Sequence, residues 1–224
     1  QQIISSNASG AESVASADLD GDGDMDVLSA SSNDDKIAWY ENQIGENNAD
    51  SDGFGSEQVI TSSANGVSSI AMSDIDGDGD QDVLSASGGD GKITWYENQI
   101  TEIGADSDGF GGQQTITTNA PNARSVAFAD LDGDGDEDAI SGSYIFNDNN
   151  EFEGEIAWYE NQIGEDGVDS DGFGLQQVVS NSVKEPRSVC TADLSGNGAK
   201  DVLTASFEDD KVVWYKNTSE VLPV

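Results

Sequence analysis

The chain has 224 residues, with 45 Asp or Glu against 8 Lys or Arg and a formal net charge of −37. A field of that sign repels phosphate and argues against nucleic acid as a partner. The single cysteine excludes an internal disulfide, and no apolar run is long enough for a membrane-spanning helix.

Gln2-Ile-Ile-Ser5 reads as a short strand, and Ser13–Ala17 as a second one built of small residues. An acidic loop follows, Asp18-Leu-Asp-Gly-Asp-Gly-Asp-Met-Asp26, then a strand Asp26-Val-Leu-Ser-Ala30. After a turn of Ser, Asn and Asp comes Lys36-Ile-Ala-Trp-Tyr40, with Ile37 and Trp39 on one face and Ala38 and Tyr40 on the other. Gln58-Val-Ile-Thr61 closes the set and matches Gln2–Ser5.

The same order then returns. The first Asp of the loop, Asp18, recurs at Asp74, Asp130 and Asp193, in two equal steps and a longer third. The Trp-Tyr pair recurs at Trp95, Trp158 and Trp214. The spacing from Trp to the next loop is constant: Trp39 to Asp74, Trp95 to Asp130 and Trp158 to Asp193. The spacing from loop end to Trp is also constant, for Asp26 to Trp39, Asp82 to Trp95 and Asp201 to Trp214. Only Asp138 to Trp158 is longer, which places a seven-residue insertion near Tyr144–Gly154. A fixed period of this length means an array of one structural unit. Four short antiparallel strands per unit predict an all-β chain, a β-propeller of four four-stranded blades. The units run over about 6–56, 57–112, 113–175 and 176–224. Residues 1–5 are expected to complete the last blade and close the ring, which removes exposed sheet edges; the alternative is a stretch of a longer array. Cys190 takes the position of Ala15, Ala71 and Ala127 and is expected to be a small buried strand residue. The recurring Trp-Tyr pairs are expected to pack between blades.

The loops carry the chemistry. Each puts oxygen-bearing residues at positions 1, 3, 5 and 9, with Gly where the chain bends. A hard cation such as Ca²⁺ takes six to eight oxygens, and alternating Asp supplies most of them. The first site comprises Asp18, Asp20, Asp22 and Asp26 with the main-chain oxygen of Asp24. The second comprises Asp74, Asp76, Asp78 and Asp82 with that of Asp80, and the third Asp130, Asp132, Asp134 and Asp138 with that of Asp136. The fourth offers Asp193, Ser195, Asn197, Asp201 and the main chain of Ala199; it has two charges and contains Lys200, so it is expected to bind more loosely. Three to four calcium ions are expected. At millimolar calcium and a dissociation constant of about 0.1 mM each site adds about 1.4 kcal/mol. Such weak sites point to an extracellular, secreted or cell-surface protein. Asp50-Ser-Asp-Gly-Phe54 and its copies at Asp106 and Asp169 read as turns around a Phe-Gly contact, with a further calcium site, helped by Glu46, Glu102 or Glu165, as the alternative.

Three Phe-Gly pairs, Phe54-Gly55, Phe110-Gly111 and Phe173-Gly174, stand at one fixed distance before the loops that open at Asp74, Asp130 and Asp193. Each loop is followed by a strand such as Val83-Leu84-Ser85. This combination resembles the FG-GAP (VCBS) repeats that form the blades of the integrin α-subunit propeller, over nearly the whole chain. The resemblance implies a calcium-stabilised adhesion or interaction domain. The chain departs from the family pattern in lacking the Gly-Ala-Pro element and a Phe-Gly before the first unit, and in having four units where the integrin ring has seven blades.

The strand order divides the loops between two ends of the sheets. Lys36, Lys92, Arg124, Lys184, Arg187 and Lys211 fall at the end opposite the acidic loops; Lys200 and Lys216 do not. The insertion, with Tyr144, Phe146 and Phe152, falls there too, so this mixed face, with Arg124 and Arg187, is the candidate partner surface. The first reading is a non-catalytic module joining extracellular protein or matrix, with self-assembly as an extension. The second is a carbohydrate-binding module. The third is a polysaccharide lyase or hydrolase on a propeller scaffold, disfavoured because the chain has no His and no Ser or Cys beside a candidate base.

Overall fold

The computed structural model describes residues 1–45, 53–102, 109–149, 151–164 and 172–219. The Asp-Ser-Asp part of each Phe-Gly linker, with Glu46 and Glu165, lies outside them. All regular structure among the described residues is β. The first sheet contains β1 (Ala11–Ala17), β2 (Asp26–Ser31), β3 (Lys36–Tyr40) and β4 (Gln58–Thr61). The second contains β5 (Val67–Ser73), β6 (Asp82–Ser87), β7 (Lys92–Tyr96) and β8 (Gln114–Thr117). The third contains β9 (Ser125–Ala129), β10 (Asp138–Phe146), β11 (Phe152–Tyr159) and β12 (Gln177–Ser180). The fourth contains β13 (Pro186–Ala192), β14 (Asp201–Ser206) and β15 (Lys211–Tyr215). Within each sheet sequential strands are antiparallel neighbours.

The residues explain the elements. β-branched and aromatic residues fill the third strands and suit a pleated, covered surface. Tight loops join second to third strands and end in Asp35, Gly91 and Asp210, with φ of 55°, 69° and 53°. Asp and Gly tolerate that left-handed backbone. Register is kept throughout: Leu28 faces Trp39, Leu84 faces Trp95, Ile140 faces Trp158 and Leu203 faces Trp214. The insertion leaves this register intact and lengthens the β10–β11 hairpin, adding the pairs Tyr144–Gly154, Ile145–Glu153 and Phe146–Phe152.

The sheets stack in chain order. β1 packs on β5, β5 on β9 and β9 on β13. A side-chain hydroxyl stitches each step: Ser13, Ser69 and Ser125 accept from the main-chain N–H of Ile70, Val126 and Val189 at 3.3, 3.3 and 3.0 Å. An apolar cluster fills each junction. Leu19, Trp39, Ile60, Val83, Tyr96 and Phe110 share the first, and Ile75, Trp95, Ala139, Tyr159 and Phe173 the second. The third holds Leu131, Ile156, Val183, Val189 and Val202, with Trp158 and Tyr215 against it.

Two sequence-based expectations need correction. The fourth sheet has three strands, and Gln2-Ile-Ile-Ser5 is not paired with β15. Among the described residues no junction like the three internal ones joins β13 to β1, so the edge and the segment that matches it are not brought together. Cys190 is exposed, because the face of the fourth sheet that a following sheet would cover stands open. The same opening explains Trp214, 48% exposed where Trp39 and Trp95 are 3%.

Candidate metal centres

Each acidic loop joins the first strand of a sheet to the second, so all four sit at the same end of their sheets. Two glycines make each loop possible: Gly21 and Gly23 have φ of 76° and 99°, and Gly77 and Gly79 have 78° and 103°. No atom lies within 4 Å of a Cβ built on Gly23, Gly77 or Gly79, so backbone conformation and not space selects glycine there. Main-chain amides then fold onto the Asp side chains. Gly21 and Gly23 N–H donate to the two oxygens of Asp18 at 2.9 and 3.0 Å, and Asp24 N–H donates to Asp22 at 2.8 Å.

This winding gathers like charges. Asp18, Asp20 and Asp22 present carboxylate oxygens within 4.8 Å of one another, as do Asp74, Asp76 and Asp78, and Asp130, Asp132 and Asp138. Asp26, Asp82 and Asp134 stand outside these triads, as do the side chains of Asp24, Asp80 and Asp136. All donors are oxygens, the chemistry of a hard cation. One atom marks the fit: Asp74 Oδ1 is buried without a hydrogen-bond partner, a state a cation relieves. The charge crowding also shows in proton affinity. Asp20 is pushed up to about 6, by burial first and by Asp26 second. Asp76 and Asp132 are raised, chiefly by burial and also by neighbouring Asp carboxylates.

The ninth residue has a structural duty. Asp82 is fully buried; its Oδ2 accepts from Ile75 N–H at 2.8 Å and its Oδ1 from Asn98 N–H at 2.7 Å. Asp26, Asp138 and Asp201 make the same pair of contacts, to Leu19 and Asn42, Leu131 and Asn161, and Leu194 and Asn217. Asp201 Oδ2 accepts from Ser195 N–H as well, at 3.0 Å. Burial pushes Asp82 and Asp138 up to about 7, against the lowering effect of the two N–H donors.

Reading the sequence missed the Asn that follows each Trp-Tyr pair. Asn98 Nδ2 donates to the carbonyl of Leu19, in the loop of the preceding repeat, at 2.8 Å. Asn161 reaches Ile75 at 2.7 Å and Asn217 reaches Leu131 at 2.6 Å. Each of the first three loops is thereby tied to the next sheet. The signal was present: the step from the ninth Asp to Asn is the same from Asp26 to Asn42, Asp82 to Asn98 and Asp201 to Asn217. Only Asp138 to Asn161 is longer, in the repeat with the insertion.

The fourth loop folds alike but closes on itself. Asp193 accepts from Gly196, Asn197 and Gly198 N–H at 2.7, 3.1 and 2.9 Å. Ser195 Oγ donates to Asn197 Oδ1 at 2.8 Å, and the Ala199 N–H also points to that oxygen, at 3.2 Å. Of its expected donors, Asn197 Oδ1 is thus already engaged.

At the opposite end, the lengthened hairpin builds an aromatic cluster. Tyr144 and Phe152 lie 5.4 Å apart, Phe146 and Phe152 4.9 Å, and the Arg124 guanidinium stands 5.9 Å from the Tyr144 ring. Arg187 is elsewhere, over Phe207 at 5.0 Å and paired with Glu185. A cleft of about 630 Å³ beside the hairpin is lined by Asn119, Tyr144, Glu153, Glu155 and Asn181 among others.

A comparison with curated proteins finds no match. The family model described as FG-GAP-like repeat matches residues 18–85 and 74–141, which together span more than half of the chain. With acidic loops, sheets and junctions recurring in step, the chain belongs to the FG-GAP-like repeat family.

Proposed function

We propose that this chain is a calcium-stabilised, non-catalytic β-propeller module that acts outside the cell in adhesion or assembly with a protein or matrix partner. The observation that carries the reading is the placement of the carboxylate triads in loops tied to the next sheet through Asn98, Asn161 and Asn217. Bound calcium would supply positive charge where the fold has gathered negative charge. Asp18, Asp20 and Asp22, then Asp74, Asp76 and Asp78, then Asp130, Asp132 and Asp138 would hold it, with a weaker fourth ion at Asp193, Asp201 and neighbouring oxygens. Stabilising a loop would then stabilise the junction beyond it. Sites of this kind need millimolar calcium, which supports an extracellular setting.

The partner surface in this reading is the mixed end, centred on Tyr144, Phe146, Phe152 and Arg124. A specific observation also favours a glycan as the ligand: the cleft beside Tyr144 combines an aromatic face with Asn and Glu groups suited to hydroxyls. Glycan-array binding separates the two.

Calorimetric titration of calcium into chelator-stripped protein, with a melting curve at each step, tests the core of the reading. Three or four sites and a large rise in melting temperature are expected. Saturation without stabilisation, or no heat at all, would remove the calcium reading.

A further inference from the structure

Three of the four repeats carry the same ion pair at the mixed end, and the third repeat lacks it. Lys36, Lys92 and Lys211 stand three residues before the Trp of their repeats, and Asp34, Asp90 and Asp209 five before it. Within each repeat the two side chains meet, at 3.3, 2.6 and 2.7 Å. In the third repeat Glu155 takes the place of the Lys and Glu153 the place of the Asp. An ammonium group is thus exchanged for a second carboxylate. Neither Glu forms an ion pair among the described residues. Arg124 does not supply the missing cation: it donates to the Tyr144 hydroxyl at 3.4 Å and stands over that ring.

The exchange coincides with the cleft. Glu153 and Glu155 are two apart on β11, so they share a face of the lengthened hairpin with Ile145 and Ser143, their partners on β10. All four line the cleft of about 630 Å³, with Asn119 and Asn181 across from the hairpin. Amide groups hold the carboxylates in place. Asn147 Nδ2 donates to Glu153 Oε1 at 2.6 Å, and Gln176 Nε2 donates to Glu155 Oε1. Asn119 Nδ2 in turn donates to Gln176 Oε1 at 3.2 Å. Each carboxylate is left with one oxygen that no described residue engages.

We propose that this cleft binds an arginine side chain carried on a segment of the protein partner. The inference rests on the reading of the mixed end as the partner surface and names the chemistry that this surface selects. The guanidinium takes the place of the cation that the other three repeats supply from their own chain. Its planar fork of five donors meets both carboxylates and an Asn carbonyl, a geometry that a single ammonium does not match. At about 630 Å³ the cleft has room for the arginine and for main chain on either side of it. Two unpaired carboxylates also repel an acidic glycan, so charge selects a basic protein segment over a uronate or sulfated sugar.

The test is an NMR titration of the full chain, in saturating calcium and about 0.15 M salt, with the capped peptide Gly-Ser-Gly-Arg-Gly-Ser-Gly. Saturable shifts centred on the amides of Glu153, Gly154 and Glu155 are expected. The same peptide with citrulline, which keeps the shape and loses the charge, is expected to bind at least about tenfold more weakly. Glu155→Lys restores the residue of the other repeats and is expected to weaken binding by a similar factor. Glu153→Gln keeps the shape of the site and is expected to weaken binding as well, which separates charge from folding. Glu12→Lys, the same change of charge at an exposed place on the first sheet, is expected to leave affinity within about twofold. Equal loss in Glu155→Lys and Glu12→Lys would mean attraction to the acidic molecule as a whole and overturn the proposal. So would equal binding of the citrulline peptide, no shifts up to about 10 mM, or shifts at these amides from a neutral oligosaccharide instead. The rise in melting temperature with calcium is read on the same sample, so failure of the cleft and failure of the calcium reading are told apart.

Discussion

Two residue types set the behaviour of the loops, the buried ninth Asp and the cross-sheet Asn. Asn161→Ala removes a buried bond to Ile75 and leaves that carbonyl unpaired, so a stability loss of about 1–3 kcal/mol is expected in urea unfolding. Because Ile75 lies inside the second acidic loop, calcium affinity there should fall as well. Asn42→Ala is the control: its side chain donates to the exposed Met25 carbonyl and accepts from Ile44 N–H, both in its own repeat, and a smaller loss, under about 1 kcal/mol, is expected. The buried Asp groups predict a pH response of opposite sign in the two metal states. Burial raises Asp82 and Asp138 to about 7 from 3.8, so the folded metal-free protein binds protons that the unfolded chain does not. Their cost to stability is full above about pH 7 and fades as pH falls toward 4, so melting temperature in chelator should rise on acidification. In saturating calcium protons compete with the ion, and the increment from calcium should shrink over the same range. A flat metal-free profile would contradict the assignment.

The element that departs from the repeat is the β10–β11 hairpin. It is fastened on both flanks, by Tyr144 N–H to the Pro121 carbonyl and Gly154 N–H to the Val183 carbonyl, both at 3.0 Å. A Cβ on Gly154 would stand 2.6 Å from Pro186 Cδ and 2.9 Å from the Val183 carbonyl, so glycine is what lets the hairpin lie against the fourth sheet. Its tip is different: Phe146 is exposed, and its ring meets that of Phe152 in the same hairpin. Tyr144→Ala with Phe146→Ala should cost about 1–3 kcal/mol in thermal unfolding, two aromatic contacts. If the hairpin is the partner surface, the same pair of changes abolishes pull-down of the partner. Unchanged capture would move the surface elsewhere.

At the scale of the molecule, stability passes from junction to junction, since each sheet packs on its sequential neighbours. Equivalent residues then differ in weight by position in the stack. Trp95→Ala empties a filled junction and should cost about 3–5 kcal/mol, whereas Trp214→Ala, on the open face, should cost about 1 kcal/mol or less. Denaturant melts of the two variants decide this. Equal losses would mean that the last sheet is covered in solution. Val212 leads to the same expectation, 84% exposed where its counterpart Ile37 is fully buried.

The repeat itself was legible in the sequence. Spacing identified the acidic loops and the strand order, alternation in Lys36–Tyr40 gave the two faces of the third strand, and the longer third repeat located the insertion. These are local matters: a loop of Asp and Gly, or a strand of alternating residues, carries its own conformational preference. The sequence did not show how the ends of the stack meet, because Gln2-Ile-Ile-Ser5 matches its paired counterparts β4, β8 and β12 and yet lies unpaired. It did not distinguish Cys190 from the half-buried Ala15, Ala71 and Ala127, Trp214 from the buried Trp39 and Trp95, nor Asp130, Asp132 and Asp138 from the triads of the other loops. Burial depends on what stands opposite a residue, and that neighbour comes from another repeat. Local pattern therefore determined the unit, and only the packing of one unit on the next decided which faces are filled and which remain open.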